Sequence, residues 1–319
     1  MEILVIQNRM GIGDMVIYIP FIEAISKKFN VPISILVKEN TKASILLNNN
    51  KHIKKIIILD RDNENGSHNG FAGSLRLVNE LKKYKFDKVF IFNSSLRFNL
   101  ICKLSGIKKI YQYPLFKKKN QHIIKFATMF IQKELNIDIE SNPLIKLEKS
   151  LVQDFKMKYK INNNQKNIIL GIGGSGPTKR VPAEKFIIFM HMALEKYDCR
   201  FFLATGSSEQ EQFILNEILS TDLKEKCVAL DKKNIDEIMP IIKNCQIAIC
   251  NDSSFSHLSA ALEIPTIVLM SDTPLLYGSY SPKMYPIIPD GETEVRHGTL
   301  GKDKINPEKI YSKFNEILD

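Results

Sequence analysis

The sequence has no tryptophan, and its five cysteines, Cys102, Cys199, Cys227, Cys245 and Cys250, include no C-x-x-C pair. An odd, scattered set of thiols supplies neither a disulfide framework nor a cysteine zinc site, and it suits a reducing cytoplasm. The six histidines form no HxH or HxxH pattern, so they suggest no metal. No apolar run approaches the roughly 18 residues of a membrane-spanning helix. The start, Met1-Glu2-Ile3-Leu4-Val5-Ile6, has an acid and a short apolar run where a secretory signal has a basic start and a longer one.

What is present is ordinary in amount and uneven in placement. With 44% hydrophobic and 25% charged residues the chain folds, which excludes disordered and collagen-like classes. Its 319 residues exceed one ordinary core and suit two domains of roughly 150 each. The net charge is +10, but residues 1–160 hold 28 basic and 14 acidic side chains, whereas residues 161–319 hold 17 and 21. An acidic partner therefore meets the first half.

Short β-branched runs alternate with helical patterns, the mark of repeated βαβ units and parallel sheets. The first half predicts strands at 2–7, 33–37, 56–59, 88–92 and 109–113, with helices at 15–28, 41–47, 74–83, 96–104 and 122–133. The asparagine-rich 161–167 reads as the linker, giving domains 1–160 and 161–319. Beyond it the pattern restarts, with strands at 168–172, 200–204, 227–230, 247–250 and 266–270. Helices are expected at 183–196, 208–219, 235–244, 254–262 and 306–318, the last with Pro307 in its first turn. It is expected to be able to pack back on the first domain.

In open parallel sheets ligands bind beyond the carboxyl ends of the strands, so four strand-to-helix loops carry the candidate chemistry. In the first, Asn8-Arg9-Met10-Gly11-Ile12-Gly13-Asp14, two glycines allow a tight turn, and the spacing is not that of a dinucleotide fingerprint. Asp14 is either a helix cap or a carboxylate able to take a proton. The second, residues 171–182, holds four glycines followed by Thr178, Lys179 and Arg180. It is not a Walker A loop, but free backbone N–H groups and the lysine favour an anion. In the third, Gly206 lets a nucleotide lie against the backbone, and Ser208 with Glu211 reads as a capping box. The fourth, Asn251-Asp252-Ser253-Ser254-Phe255-Ser256-His257, joins hydroxyls and a histidine at a helix N-terminus. That is an anion site; a Ser/His/Asp triad ranks low because no Gly-x-Ser-x-Gly elbow is present.

These motifs together resemble glycosyltransferase family 9, that of the ADP-heptose:lipopolysaccharide heptosyltransferases. The residues are Gly11-Ile12-Gly13-Asp14-Met15, then Gly176-Pro177-Thr178-Lys179-Arg180-Val181-Pro182, then Asn251-Asp252-Ser253-Ser254 with His257-Leu258. Ser95-Leu96-Arg97 leading to Gly106-Ile107-Lys108 is similar too. The resemblance implies a GT-B architecture, an α/β fold of two Rossmann-like doubly wound domains facing a cleft, with acceptor on the first and nucleotide-sugar donor on the second. It implies inverting, metal-independent transfer with Asp14 as general base. Donor contacts fall to Gly174, Ser175, Thr178, Lys179, Gly206, Asp252, Ser253, Ser254 and His257, and acceptor contacts to Gly13 and Arg97. The implied partners are a nucleotide sugar, with ADP-heptose as the default donor, and an anionic glycolipid or glycan acceptor. No cofactor is implied. The setting is the cytoplasm, with a peripheral contact at the inner face of the membrane left open.

The chain departs from the family where Val181 replaces a common tryptophan and where Ser254 replaces a glycine. Two other classes compete: an epimerase-like or different-donor GT-B enzyme, and a nucleic-acid binder using the basic half. The second lacks interleaved aromatics, and Lys117-Lys118-Lys119 reads as a solvated run.

Overall fold

A computed structural model of the chain describes residues 1–9, 11–61, 64–114, 122–162 and 164–319. Met10 of the first loop and Lys117–Lys119 lie outside these residues. The chain divides into two compact units, Met1–Pro143 and Leu144–Asp319.

The first unit is a five-stranded parallel sheet of β1 (Ile3–Ile6), β2 (Ile33–Val37), β3 (Ile53–Ile58), β4 (Lys88–Ile91) and β5 (Lys109–Gln112), in the order β3-β2-β1-β4-β5. The apolar runs of β1 and β2, in its middle, are buried on both faces, as a parallel sheet requires. The helices are α1 (Ile12–Phe29), the single turn α2 (Ala43–Leu46), α3 (Gly70–Lys82), α4 (Leu96–Leu104) and α5 (Ile123–Leu135). Helix α1 begins on Gly11, whose φ of 100° and ψ of 157° favour glycine, and ends on Asn30 in the left-handed conformation. Tyr18 and Phe21 of α1 and Phe126 and Phe130 of α5 join Phe92 and Tyr113 in one aromatic cluster. A separate core gathers Leu77 and Leu81 of α3 with Phe98 and Ile101 of α4.

The second unit is a six-stranded parallel sheet of β6 (Lys166–Gly171), β7 (Cys199–Ala204), β8 (Cys227–Ala229), β9 (Ile247–Asn251), β10 (Thr266–Leu269) and β11 (Met284–Ile287), in the order β11-β10-β9-β6-β7-β8. Its helices are α6 (Lys149–Lys158), α7 (Ala183–Lys196), α8 (Glu209–Leu219), α9 (Ile235–Lys243), α10 (Ser254–Ala261) and α11 (Pro307–Leu318).

The structure differs from the sequence reading in its division and in two elements. The division falls at 143/144, not in the asparagine-rich stretch. Helix α6, which the sequence reading lacks, packs on α9, Ile145 N–H donates to Ala261 O, and Asn244 Nδ2 donates to Val152 O, so residues 144–160 belong to the second unit. In the last helix, Ile310 and Phe314 enter the core of the second unit beside Phe189 of α7. Strand β11 is also new; it is short, carries Pro286, and sits at the sheet edge, where proline is tolerated.

Candidate functional site

Each sheet reverses its strand order once, beside β1 in the first unit and beside β6 in the second, and ligands of open parallel sheets bind at such points. In the second unit the switch lies between β6 and β9. The loops that follow these two strands carry Lys179 and Asp252, and the geometry there is tight. Lys179 Nζ lies 2.8 Å from Asp252 Oδ2, with the lysine side chain 25% exposed and the aspartate 4%. Thr273 Oγ1 donates to the same oxygen at 2.5 Å. Burial pushes the Asp252 pKa up, but the charges of Lys179 and His257 and the hydrogen bonds from Lys179 and Thr273 outweigh it and hold the carboxyl below its ordinary value. A buried aspartate thereby fixes a part-exposed ammonium at the switch point.

His257 is buried, with Nε2 3.8 Å from Asp252 Oδ1 and Nδ1 2.9 Å from the Tyr280 hydroxyl. Desolvation raises the Tyr280 pKa, which keeps the phenol protonated as a hydrogen-bonding group. Ser253 is the residue before α10 and Ser254 its first, so the first-turn N–H groups stand one residue from Asp252. Ser256 Oγ accepts from Ser253 N–H and donates to Ser253 O at 2.7 Å, which holds the entry to the helix.

Asn251 braces the loop behind Lys179. Its Nδ2 donates to Ile172 O at 2.8 Å, and its Oδ1 accepts from Val181 N–H at 3.3 Å. Val181 is wholly buried. Thr178 is tied from the far side, where Ser271 Oγ donates to its carbonyl at 3.1 Å and its hydroxyl bonds Asp272. Ser175 is exposed on the loop. Gly171, Gly173 and Gly176 have the spacing of a dinucleotide fingerprint, but α7 opens only at Ala183, so no helix N-terminus faces those glycines.

Gly174 and Gly206 meet at Glu211. Its Oε1 accepts from Gly174 N–H at 3.0 Å and Gly206 N–H at 3.3 Å, while Oε2 accepts from Ser208 Oγ at 2.6 Å. The capping box expected of Ser208 and Glu211 is therefore not formed, since the carboxylate spans two loops instead of closing its own helix. A Cβ on Gly206 would lie 2.4 Å from Glu211 Oε2 and one on Gly173 2.5 Å from Oε1, so a side chain at either position displaces the carboxylate from its hydrogen bonds. At Gly174 and Gly176 a Cβ would meet nothing closer than 3.7 and 3.9 Å. The protein's own packing does not demand glycine there.

In the first unit Asp14 is the third residue of α1, and Gly11 is its cap, so capping does not account for Asp14. Asp14 Oδ1 accepts from Arg9 Nε at 2.8 Å. Gly13 is the second helical residue. Arg97 lies elsewhere, donating to Ser74 Oγ at 2.9 Å and to His68 O at 2.5 Å, and desolvation lowers its pKa. The sequence reading misses Gln7, which follows β1 fully buried with neither Oε1 nor Nε2 hydrogen-bonded. It also misses Asn93 and Ser94 after the neighbouring β4, whose Nδ2 and Oγ are likewise buried and unpartnered. Unpaired buried polar groups are costly, and their gathering at a switch point is the signal that only the fold reveals. Asp60-Arg61-Asp62 has an Asp-x-Asp spacing, yet Asp60 Oδ2 accepts from Ser67 N–H at 2.7 Å, and Asp62 lies outside the described residues.

Residues 74–304 match the family described as glycosyltransferase family 9 (heptosyltransferase). The chain is 22% identical over 301 residues to the lipopolysaccharide heptosyltransferase 1 of Campylobacter coli, covering 85% of each chain. Among solved structures it is similar to the ADP-heptose lps heptosyltransferase II of E. coli, with a TM-score of 0.75, 18% identity and coverage of 100% and 98% of the two chains. It is also similar to the E. coli heptosyltransferase WaaC with ADP-2-deoxy-2-fluoro heptose, at a TM-score of 0.69, 13% identity and 99% of both chains. The fold is thus that of the GT-B heptosyltransferases.

Proposed function

Because the chain belongs to glycosyltransferase family 9, we propose that it transfers heptose from ADP-heptose to a lipopolysaccharide or lipooligosaccharide core, by direct displacement with inversion. The observation that carries this reading is the Lys179–Asp252 pair beside the α10 N-terminus at the β6/β9 switch point. The acceptor hydroxyl oxygen attacks the anomeric carbon while its proton passes to Asp14, whose Oδ1 Arg9 already holds, leaving Oδ2 for the proton. The bond from that carbon to the diphosphate oxygen breaks, and its electron pair leaves with the nucleoside diphosphate. Lys179 and the N–H groups opening α10 take up the growing charge, the task a metal performs in other transferases. The room at Gly174 and Gly176 suits the close approach of phosphates to the backbone. On the acceptor side, the unpartnered Gln7 amide, Asn93 Nδ2 and Ser94 Oγ suit sugar hydroxyls, while the basic first half suits an anionic core. The acceptor's lipid anchor brings the enzyme to the inner face of the membrane as a peripheral protein, and nucleic acid has no part.

The test is a thermal-shift and calorimetric panel of ADP, UDP, GDP and their sugars. ADP and ADP-heptose are expected to stabilise the chain most, and Lys179→Ala to weaken ADP binding on the order of 10-fold or more, as loss of a charged hydrogen bond does. A UDP or GDP preference, or unchanged affinity in Lys179→Ala, contradicts the donor assignment.

A further inference from the structure

Helices α3 and α4 cover one side of the first sheet side by side, joined by Arg97–Ser74 and by Ser105 Oγ donating to Val78 O at 3.3 Å. Their inward faces form the core already described. Their outward faces are apolar: Phe71 is 81% exposed and Leu75 44% on α3, while Leu96, Leu100 and Leu104 of α4 are 62%, 56% and 59% exposed. The three leucines recur every four residues and so form one stripe. Single exposed leucines need no explanation, but five large apolar side chains on two adjoining helices do.

The rest of this surface is basic. Arg76, Lys82 and Lys103 are exposed on the same helices, whose one carboxylate, Glu80, is half-buried with its Oε2 3.2 Å from His68 Nε2. Where α3 and α4 end, a cavity of about 250 Å³ is lined by Lys82, Lys85 and Lys108, with Phe86, Asp87 and Ser105. Asp87 is engaged, its Oδ2 accepting from Glu2 N–H at 2.7 Å. Complementing the helix dipole explains Lys82 and Lys103, which end their helices, but not Lys85 and Lys108, which stand in the following loops.

We propose that the outer face of α3 and α4 is a docking surface for an anionic phospholipid bilayer. The leucine stripe and Phe71 enter the headgroup boundary, and a lipid phosphate occupies the lysine-lined cavity. An amphipathic face with lysines at its border is what interfacial binding requires, and a bilayer supplies both the apolar layer and the negative charge. Among the described residues no helix is long and apolar enough to cross a membrane, so the contact lies on the surface. The inference deepens the membrane contact proposed above, but its test uses no sugar donor and stands apart from the transferase reading.

The experiment is co-sedimentation of the full chain with vesicles of pure phosphatidylcholine and of phosphatidylcholine with 30% phosphatidylglycerol. Binding is expected only to the anionic vesicles, and it should fall with added salt. Lys82→Ala/Lys85→Ala/Lys108→Ala should weaken it on the order of 100-fold, about 5-fold per lysine. Leu96→Ser/Leu100→Ser should also weaken it, with melting temperature and ADP affinity unchanged in both variants. Equal binding by either variant overturns the proposal. So does absence of vesicle binding together with self-association that Leu96→Ser/Leu100→Ser abolishes, which would make the face an interface between copies. Normal vesicle binding by a chain without nucleotide affinity would retain this surface and reject the donor assignment.

Discussion

Asp14 sits where a capping residue would be unremarkable, and it is not the cap. Gly11 holds that position, so a mild substitution at Asp14 leaves the helix start in place. Asp14→Asn should lower kcat by roughly 10²–10⁴, the usual worth of general-base help, with ADP affinity and melting temperature near wild type. Survival of near-normal turnover would reduce Asp14 to a partner of Arg9. Asp252 makes a separate prediction through pH. Its folded pKa lies below the ordinary carboxylate value, so its contribution to stability is fully present above about pH 4 and is lost as pH falls through the folded value. Asp252→Asn should therefore melt lower than wild type at neutral pH, and the gap should narrow below pH 4. Thermal melts across that range check both halves. Asp14, Lys179 and Asp252 were all legible in the sequence. Gln7, Asn93, Thr273 and Tyr280 were not, because what marks each is burial or a partner distant in the chain.

At the scale of elements, repeated runs make the strands legible, and ten of the eleven strands among the described residues lie where the alternation places them. Strand β11 escaped because four residues including a proline carry little pattern, and α6 because it has no fully buried residue. In sequence the loops after β6 and β7 are separate motifs, yet Glu211 fastens them together through Gly174 and Gly206. Gly206→Ala should thus be costly beyond its backbone effect, since the new methyl meets the carboxylate. A loss of about 1–3 kcal/mol is expected from overpacking, with weaker nucleotide binding as the loop shifts. Gly176→Ala, which meets no such neighbour, should leave stability near wild type, and urea denaturation of the two variants compares them directly.

For the whole molecule, the excess of charge in the first half takes on a local meaning. Part of it borders the outer face of α3 and α4, whose exposed apolar side chains are one phenylalanine and four leucines, a composition that suits a bilayer better than stacked bases. The slightly acidic second half keeps Lys179 within hydrogen-bond reach of a buried aspartate at the one point where its sheet reverses order. In the proposed mechanism catalysis rests on charge and geometry built by the chain, so turnover should persist in excess EDTA. One measurement tests this most directly: incubation with ADP-heptose and a heptose-free core glycolipid in EDTA, followed by product mass and anomeric configuration. The expected product carries a single added heptose with inverted configuration, with one ADP released per transfer. A free sugar isomer, retention of configuration, or activity that requires added metal would contradict it.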